Sequence, residues 1–326
     1  MADRIVLTDI APQSWEHPAD RAALNALRSI PGFDDVVRRV FSYFDEKRLR
    51  QLYLANAVRV SATQRPKLDA LLTEVLTSMD WHDRPELYVS QTPVLNAKAI
   101  GWEKPFIVIH SAALDQLDDE ELRAIVAHEL AHIMSGHVVY RTMADLIMTI
   151  GLSAMPTLAA AAFLPIHIAL MEWYRKSELS ADRGELLAIQ DRKAAMMLLL
   201  KLAGGRDYGD SIDLEAFVEQ GKEYETQGDF VDRVWRVINT LMRDHPFATV
   251  RAGELQRWID SGSYGRIIGG EYTRRADAEA SIRVGQDINE AAGYYADQAK
   301  AAVDRIGEVF GRARGAFDDA FNGGRR

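Results

Sequence analysis

Apolar and polar positions change their period twice along this chain. From Phe33 to about Ala57 the residues Val36, Val37, Val40, Phe41, Phe44, Leu49, Leu52 and Leu54 recur at three- and four-residue steps, which predicts helix. A second helical pattern covers about Gln64 to Met79, with Leu68, Leu71, Leu72, Val75 and Leu76 on one side. After Pro85 the pattern shortens, and Glu86 to Ser90, Asn96 to Ile100 and Phe106 to His110 read as three strands of a small antiparallel sheet. Helical spacing returns at Asp118. The stretch before Phe33, punctuated by Pro12, Pro18 and Pro31, reads as an irregular polar lead-in. The expected class is α+β, mostly α-helical, with the small sheet beside the helix that starts at Asp118.

That helix carries the chemistry. Asp118 is placed as its N-cap, and Glu121 three residues on completes a capping-box pattern. Within Ala127-His128-Glu129-Leu130-Ala131-His132, the two histidines are four apart and share a face one turn apart. The neighbours Ile125, Val126, Leu130, Ile133 and Met134 make this turn half-buried, where a histidine pair with nothing to share would be costly. Two imidazole nitrogens so placed can close on one zinc ion at about 2.0–2.1 Å. Glu129 stands beside the first ligand, able to take a proton from a water that the metal activates.

A hydrolytic zinc site needs a third protein ligand and an open position. Ser177-Glu178-Leu179-Ser180-Ala181-Asp182-Arg183 supplies the best candidate, with Glu178 and Asp182 four apart on one helical face. Glu178 is the expected third ligand. Asp182, one turn on, would accept a hydrogen bond from the outer nitrogen of a ligating histidine, His128 being the best placed, and fix its tautomer. No suitable pair lies about twenty residues after His132, where some aminopeptidases carry their third ligand. His82 and His110 have no spacing partner and read as surface or packing residues.

The 26 residues from Leu146 to Met171 hold no Asp, Glu, Lys or Arg. As one helix they would reach about 39 Å, enough to span a bilayer. A single crossing, however, would put His132 and Glu178 on opposite sides of the membrane. Pro156 and Pro165 are expected to break the run, which leaves a buried or interfacial hairpin, with membrane contact at most peripheral. His167 inside it reads as a core residue. Further on, Arg192 to Leu202 reads as a core helix, Gly204 to Gly209 as a loop and Asp213 to Asp232 as an acidic stretch. A helix from Val234 to Met242 then delivers His245-Pro246, the proline fixing a turn that could aim His245 back at the site.

Composition narrows the partners. The formal net charge is −9, and no Lys/Arg-rich block is present to neutralise phosphates, which argues against nucleic acid. Zero cysteines leave only histidine and carboxylate ligands and suit a cytoplasmic, reducing setting. The first residues lack a basic segment followed by an apolar one, so no export signal is expected. From Ile288 to Phe317 an alanine-rich stripe recurs at alternating steps of four and three, an amphipathic helix packed on its own domain or a partner, and the tail from Asn322 is expected to be disordered.

Four pieces of the chain, in order, resemble the M48 family of zinc metallopeptidases, the gluzincins that include HtpX and the CAAX prenyl protease. They are Asn96-Ala97-Lys98-Ala99 with the following strand Pro105 to Ile109, Glu120 through His137, Glu178 to Asp182, and His245-Pro246 with Arg251. Lys98 departs from the apolar or aromatic residue usual there. The resemblance implies a zincin-like core and one zinc ion held by His128, His132 and Glu178. It makes Glu129 the base and gives His245 the oxyanion. Asn96 and Ala97 fall on an edge strand that pairs with a protein or peptide substrate. Arg251 becomes a structural support or a contact to a substrate carboxylate. The implied function is a zinc metalloendopeptidase, and the rival is a latent or chaperone-like binding protein that keeps the metal only for structure. Three regions are expected: 1–84 helical, 85–260 metallopeptidase with 146–171 as an apolar insertion, and 261–326 a helical extension.

Overall fold

The computed structural model describes residues 4–30, 33, 37–38, 41–42, 44–150, 157–205, 213–226 and 247–281, with side chains except at 147–168, 225–226 and 279–281. His245, Pro246, the helix expected at 234–242, most of the loop after Gly204, the side chain of His167, the stripe at 288–317 and the tail lie outside them. Residues 1–279 form one compact unit, and a second unit begins at Ala280.

The lead-in is not irregular. Helix α1, Pro18–Arg28, starts with proline at its first position, where no N–H is needed, and His17 Nδ1 accepts the Ala19 N–H at 3.0 Å. Leu7, Ile10 and Trp15 ahead of it are fully buried in the main core. Proline here opens a helix rather than marking a loop, and the buried face of that helix carries Ala19, Asp20 and Leu27.

Helix α2 spans Glu46–Asn56 with Asp45 as its N-cap, and runs straight into strand β1, Ala57–Arg59. Three residues are too few to show an alternation, so β1 was invisible among the helical spacings. Helix α3 is Pro66–Ser78. The strands β2 (Leu87–Ser90), β3 (Ala97–Ile100) and β4 (Phe106–His110) fall where expected. The sheet, in the order β1-β2-β4-β3, is mixed rather than antiparallel: β2 and β4 pair parallel, the other two pairs antiparallel. The physical reason is that β4 folds back from β3 into the place beside β2, so β2 and β3 are not neighbours and β2 instead meets β4 in parallel. Both faces are covered, Tyr88, Ile100, Phe106 and Val108 by Leu49 and Tyr53 of α2, and Val89, Ala97, Ile107 and Ile109 by the main core.

After the short α4 (Ser111–Gln116), helix α5 spans Asp119–Met134. Its capping box is complete: Asp118 Oδ1 accepts the Glu121 N–H at 3.0 Å, and Glu121 Oε2 accepts the Asp118 N–H at 2.8 Å. Helix α6 is Val138–Ile150 and α7 Thr157–Ile189. Pro165 lies inside α7 and does not end it. A proline in a helix interior costs about 3 kcal/mol, and the buried C-terminal half of α7, packed on α1 and α5, offsets that. Among the described residues no helix is long and apolar enough to cross a membrane.

The remaining described helices are α8 (Arg192–Gly204), α9 (Leu214–Thr226), α10 (Ala248–Asp260), α11 (Ser263–Ile268) and α12 (Arg275–Ser281). One contact decides how close helices α5 and α7 come. A Cβ on Gly184 of α7 would stand 2.6 Å from the Ala131 Cβ of α5 and 2.9 Å from Trp15 Nε1, so only glycine lets α7 lie this near.

Candidate metal centre

Helix α5 presents His128 and His132 from its last turns, and α7 brings Glu178 to meet them. One donor atom from each of the three lies within 4.8 Å of the others, all three residues being buried. Glu178 Oε2 is 3.5 Å from His128 Nε2, and Glu178 Oε1 is 3.3 Å from His132 Nε2. His132 is fully buried, yet its Nε2 makes no hydrogen bond despite that proximity. Burial, followed by the charge of Arg141, holds the His132 imidazole well below its usual pKa, so it is neutral with a lone pair. An orphaned lone pair inside a His, His, Glu set fits a divalent metal ion.

The far sides of the two rings are built differently. His128 Nδ1 faces Asp182 Oδ1 at 3.2 Å and Glu185 Oε2 at 3.3 Å. His128, Asp182 and Glu185 therefore also cluster, but through the nitrogen that points away from Glu178. Arg251 of α10 neutralises this cluster: its Nε and Nη2 donate to the two oxygens of Asp182 at 2.9 and 2.5 Å, and its Nη1 is 3.0 Å from Glu178 Oε2. Burial raises the Asp182 carboxyl, but Arg251 and His128 outweigh it and hold it below the usual range. Glu185 lacks that partner, and burial pushes it up to about 7.

Behind His132 stands His137, with Nδ1 to Nδ1 at 3.0 Å, and His137 Nε2 is 2.9 Å from Asp20 Oδ2 of α1. Asp20 also accepts from Trp173 Nε1 at 2.8 Å and from Ser180 Oγ at 2.5 Å. Burial opposes its charge, but His137, Ser180 and Trp173 together hold its carboxyl below the usual value. On the other side of Glu178, Arg141 donates to Oε1 and lies 4.0 Å over the Tyr174 ring.

Glu129 is buried beside His128, and its Oε2 accepts the Ala99 N–H of β3 at 2.6 Å. Strand β3 is at the edge of the sheet, and Lys98 on its other face pairs with Asp145 at 2.8 Å. A cavity of about 710 Å³ opens over Asn96, Ala97, His128, Glu129, Glu178 and Arg251. The structure thus brings together every site residue expected from the sequence except His245, which lies outside the described residues. His82 is exposed, and the His110 ring contacts the Val94 carbonyl, both away from the centre.

Sequence reasoning missed Asp20, His137, Arg141 and Glu185 as parts of the centre. Glu185 continues the Glu178–Asp182 face at i+7, and Arg141 follows His137 at i+4, so both had a helical-spacing signal. Asp20 had none.

A His-Glu-x-x-His helix, a carboxylate from a second helix and a sheet edge beside Glu129 are the features of a metallopeptidase. The family model for peptidase family M48 matches residues 62–259, and the chain belongs to that family. Among curated proteins it is 31% identical over 284 residues to the plastoglobule-localized metallopeptidase 48 of Arabidopsis thaliana, covering 86% of this chain and 80% of that protein. It is 27% identical over 183 residues to an HtpX protease homolog of Helicobacter pylori, 48% of this chain and 58% of that protein. An HtpX homolog of Methanosarcina acetivorans is 25% identical over 188 residues, 50% of this chain and 64% of that protein. The chain thus spans about three fifths of the length of the HtpX relatives. No solved structure gives a significant match.

Proposed function

We propose that this chain is a zinc-dependent metalloendopeptidase that holds one zinc ion through His128 Nε2, His132 Nε2 and Glu178. The observation that carries this is the buried, unpartnered His132 Nε2 facing Glu178, with Glu129 in the same cavity. Two imidazoles and a carboxylate, in a chain without cysteine, are the donor set that zinc takes at an open hydrolytic site. When bound, zinc supplies a Lewis acid that polarises a peptide carbonyl and lowers the pKa of water.

The residues of the chain do the rest. Glu129 takes the proton of the attacking water and passes it to the leaving amine. Ala99 N–H, donating to Glu129 Oε2, aims that carboxylate along the sheet edge. An extended protein or peptide segment laid against β3 would add one strand, with Asn96 and Ala97 beside it. Asp182 fixes the His128 ring through Nδ1. Of the two roles open to Arg251, its commitment to Asp182 and Glu178 supports holding the ligand rather than receiving a substrate carboxylate. His245 is assigned the oxyanion on the family pattern alone.

The test is cleavage of casein by the wild type and by Glu129→Gln, with zinc quantified in both. Equal zinc near one per chain and cleavage only by the wild type is expected. Zinc without cleavage by either would favour a binding protein with a structural metal, and zinc in neither would overturn the reading.

A further inference from the structure

The chain of hydrogen bonds behind His132 has one direction that leaves His132 Nε2 free to bind a metal. An ionised Asp20 can only accept, so its three neighbours, His137 Nε2, Trp173 Nε1 and Ser180 Oγ, must all donate to it. A neutral His137 that donates from Nε2 has its lone pair on Nδ1. It must then accept from His132 Nδ1 at 3.0 Å, which leaves His132 with a hydrogen on Nδ1 and a bare Nε2. That bare nitrogen is the one facing Glu178. All members are buried: Asp20 is 2% exposed, His137 2% and His132 0%.

We propose that Asp20, carried by α1, is a positioning residue of the metal centre, which acts through His137 to hold His132 in the tautomer and orientation that offer Nε2 to the metal. This rests on the metal reading above. Asp20 lies outside residues 62–259, where the family model matches, so the centre is completed by a segment before them. The arrangement parallels the familiar carboxylate–histidine–metal support, lengthened by one imidazole. An amide in place of Asp20 would turn its NH2 group on at least one of three donors. A phenyl ring in place of His137 keeps an aromatic ring against Trp173 but removes the acceptor for His132 Nδ1.

The test is zinc affinity of the full chain, measured by competition with a chelating indicator after the metal is stripped, alongside the melting temperature of each stripped protein. Asp20→Asn and His137→Phe are expected to weaken zinc binding by about 10–100-fold each, and together by no more than the worse of the two. Leu27→Ala, which leaves a hole under the same helix α1 without touching the chain of hydrogen bonds, is expected to lower the melting temperature while keeping zinc affinity within about threefold. The proposal is overturned if Asp20→Asn binds zinc as the wild type does, or if affinity falls in step with melting temperature for Leu27→Ala as well. Should Asp20→Asn not fold, His137→Phe decides alone by the same criterion. A wild type that binds no zinc would instead bring down the zinc reading itself.

Discussion

The two imidazoles of the centre sit one turn apart on a single helix and back onto opposite chemistry. His128 leans on two carboxylates, of which Asp182 is paired with an arginine from α10. His132 leans on a second imidazole and, through it, on one carboxylate from α1. The first support is dense in charge and stands or falls with its counter-ion. The second is nearly neutral and works by hydrogen-bond direction. In the proposed metal site the same task would thus be met once by charge balance and once by tautomer control.

Removing the counter-ion should break the comparison hardest. Arg251→Leu leaves Asp182 and Glu178 buried with a lost partner, and a loss of about 3–5 kcal/mol is expected in urea unfolding. A loss under about 1 kcal/mol would mean that the His128 side is not organised by charge. Gly184→Ala bears instead on the His132 side. The added methyl meets Ala131 and Trp15, so α7 must back away from α5, at about 1–3 kcal/mol. Zinc affinity should fall with it, because Glu178 moves away from both histidines; unchanged affinity would show that the helix spacing is not what sets the ligand geometry. The smallest effect sharpens the contrast by touching neither side. Asp118→Ala removes the cap from the helix that bears both ligands and should cost about 1 kcal/mol by thermal unfolding, with zinc affinity unmoved.

The same contrast explains what could be read from the sequence. His128, His132, Glu178 and Asp182 are spaced four apart on their helices, and local periodicity exposes such sets. The capping box of α5 and the strands β2 to β4 were equally local. Asp20 reaches the centre from a helix near the start of the chain, and its three partners, Ser180, Trp173 and His137, come from other elements. No spacing rule links them; only the packing of α1 on α7 does. The mixed sheet was missed for a related reason, since strand order depends on which strands fold back, and β1 was too short to leave a pattern. The placement of His245 rests on residues that the described structure does not include.

Strand β3 is held at several points before anything binds to it. Gly101 exchanges hydrogen bonds with Thr142 of α6 at 3.0 and 3.2 Å, and Glu46 of α2 accepts the backbone N–H groups of Trp102, Glu103 and Lys104 at 2.6 to 3.0 Å. Lys98 is tied to Asp145, and Ala99 to Glu129. For a peptidase that receives substrate along this edge, the entropy of ordering the new strand pair therefore falls almost wholly on the incoming segment. Substrates would then be ranked less by the side chains they offer than by how little freedom they lose on becoming extended, which favours segments already stretched or unfolded over those that must first melt out of a helix.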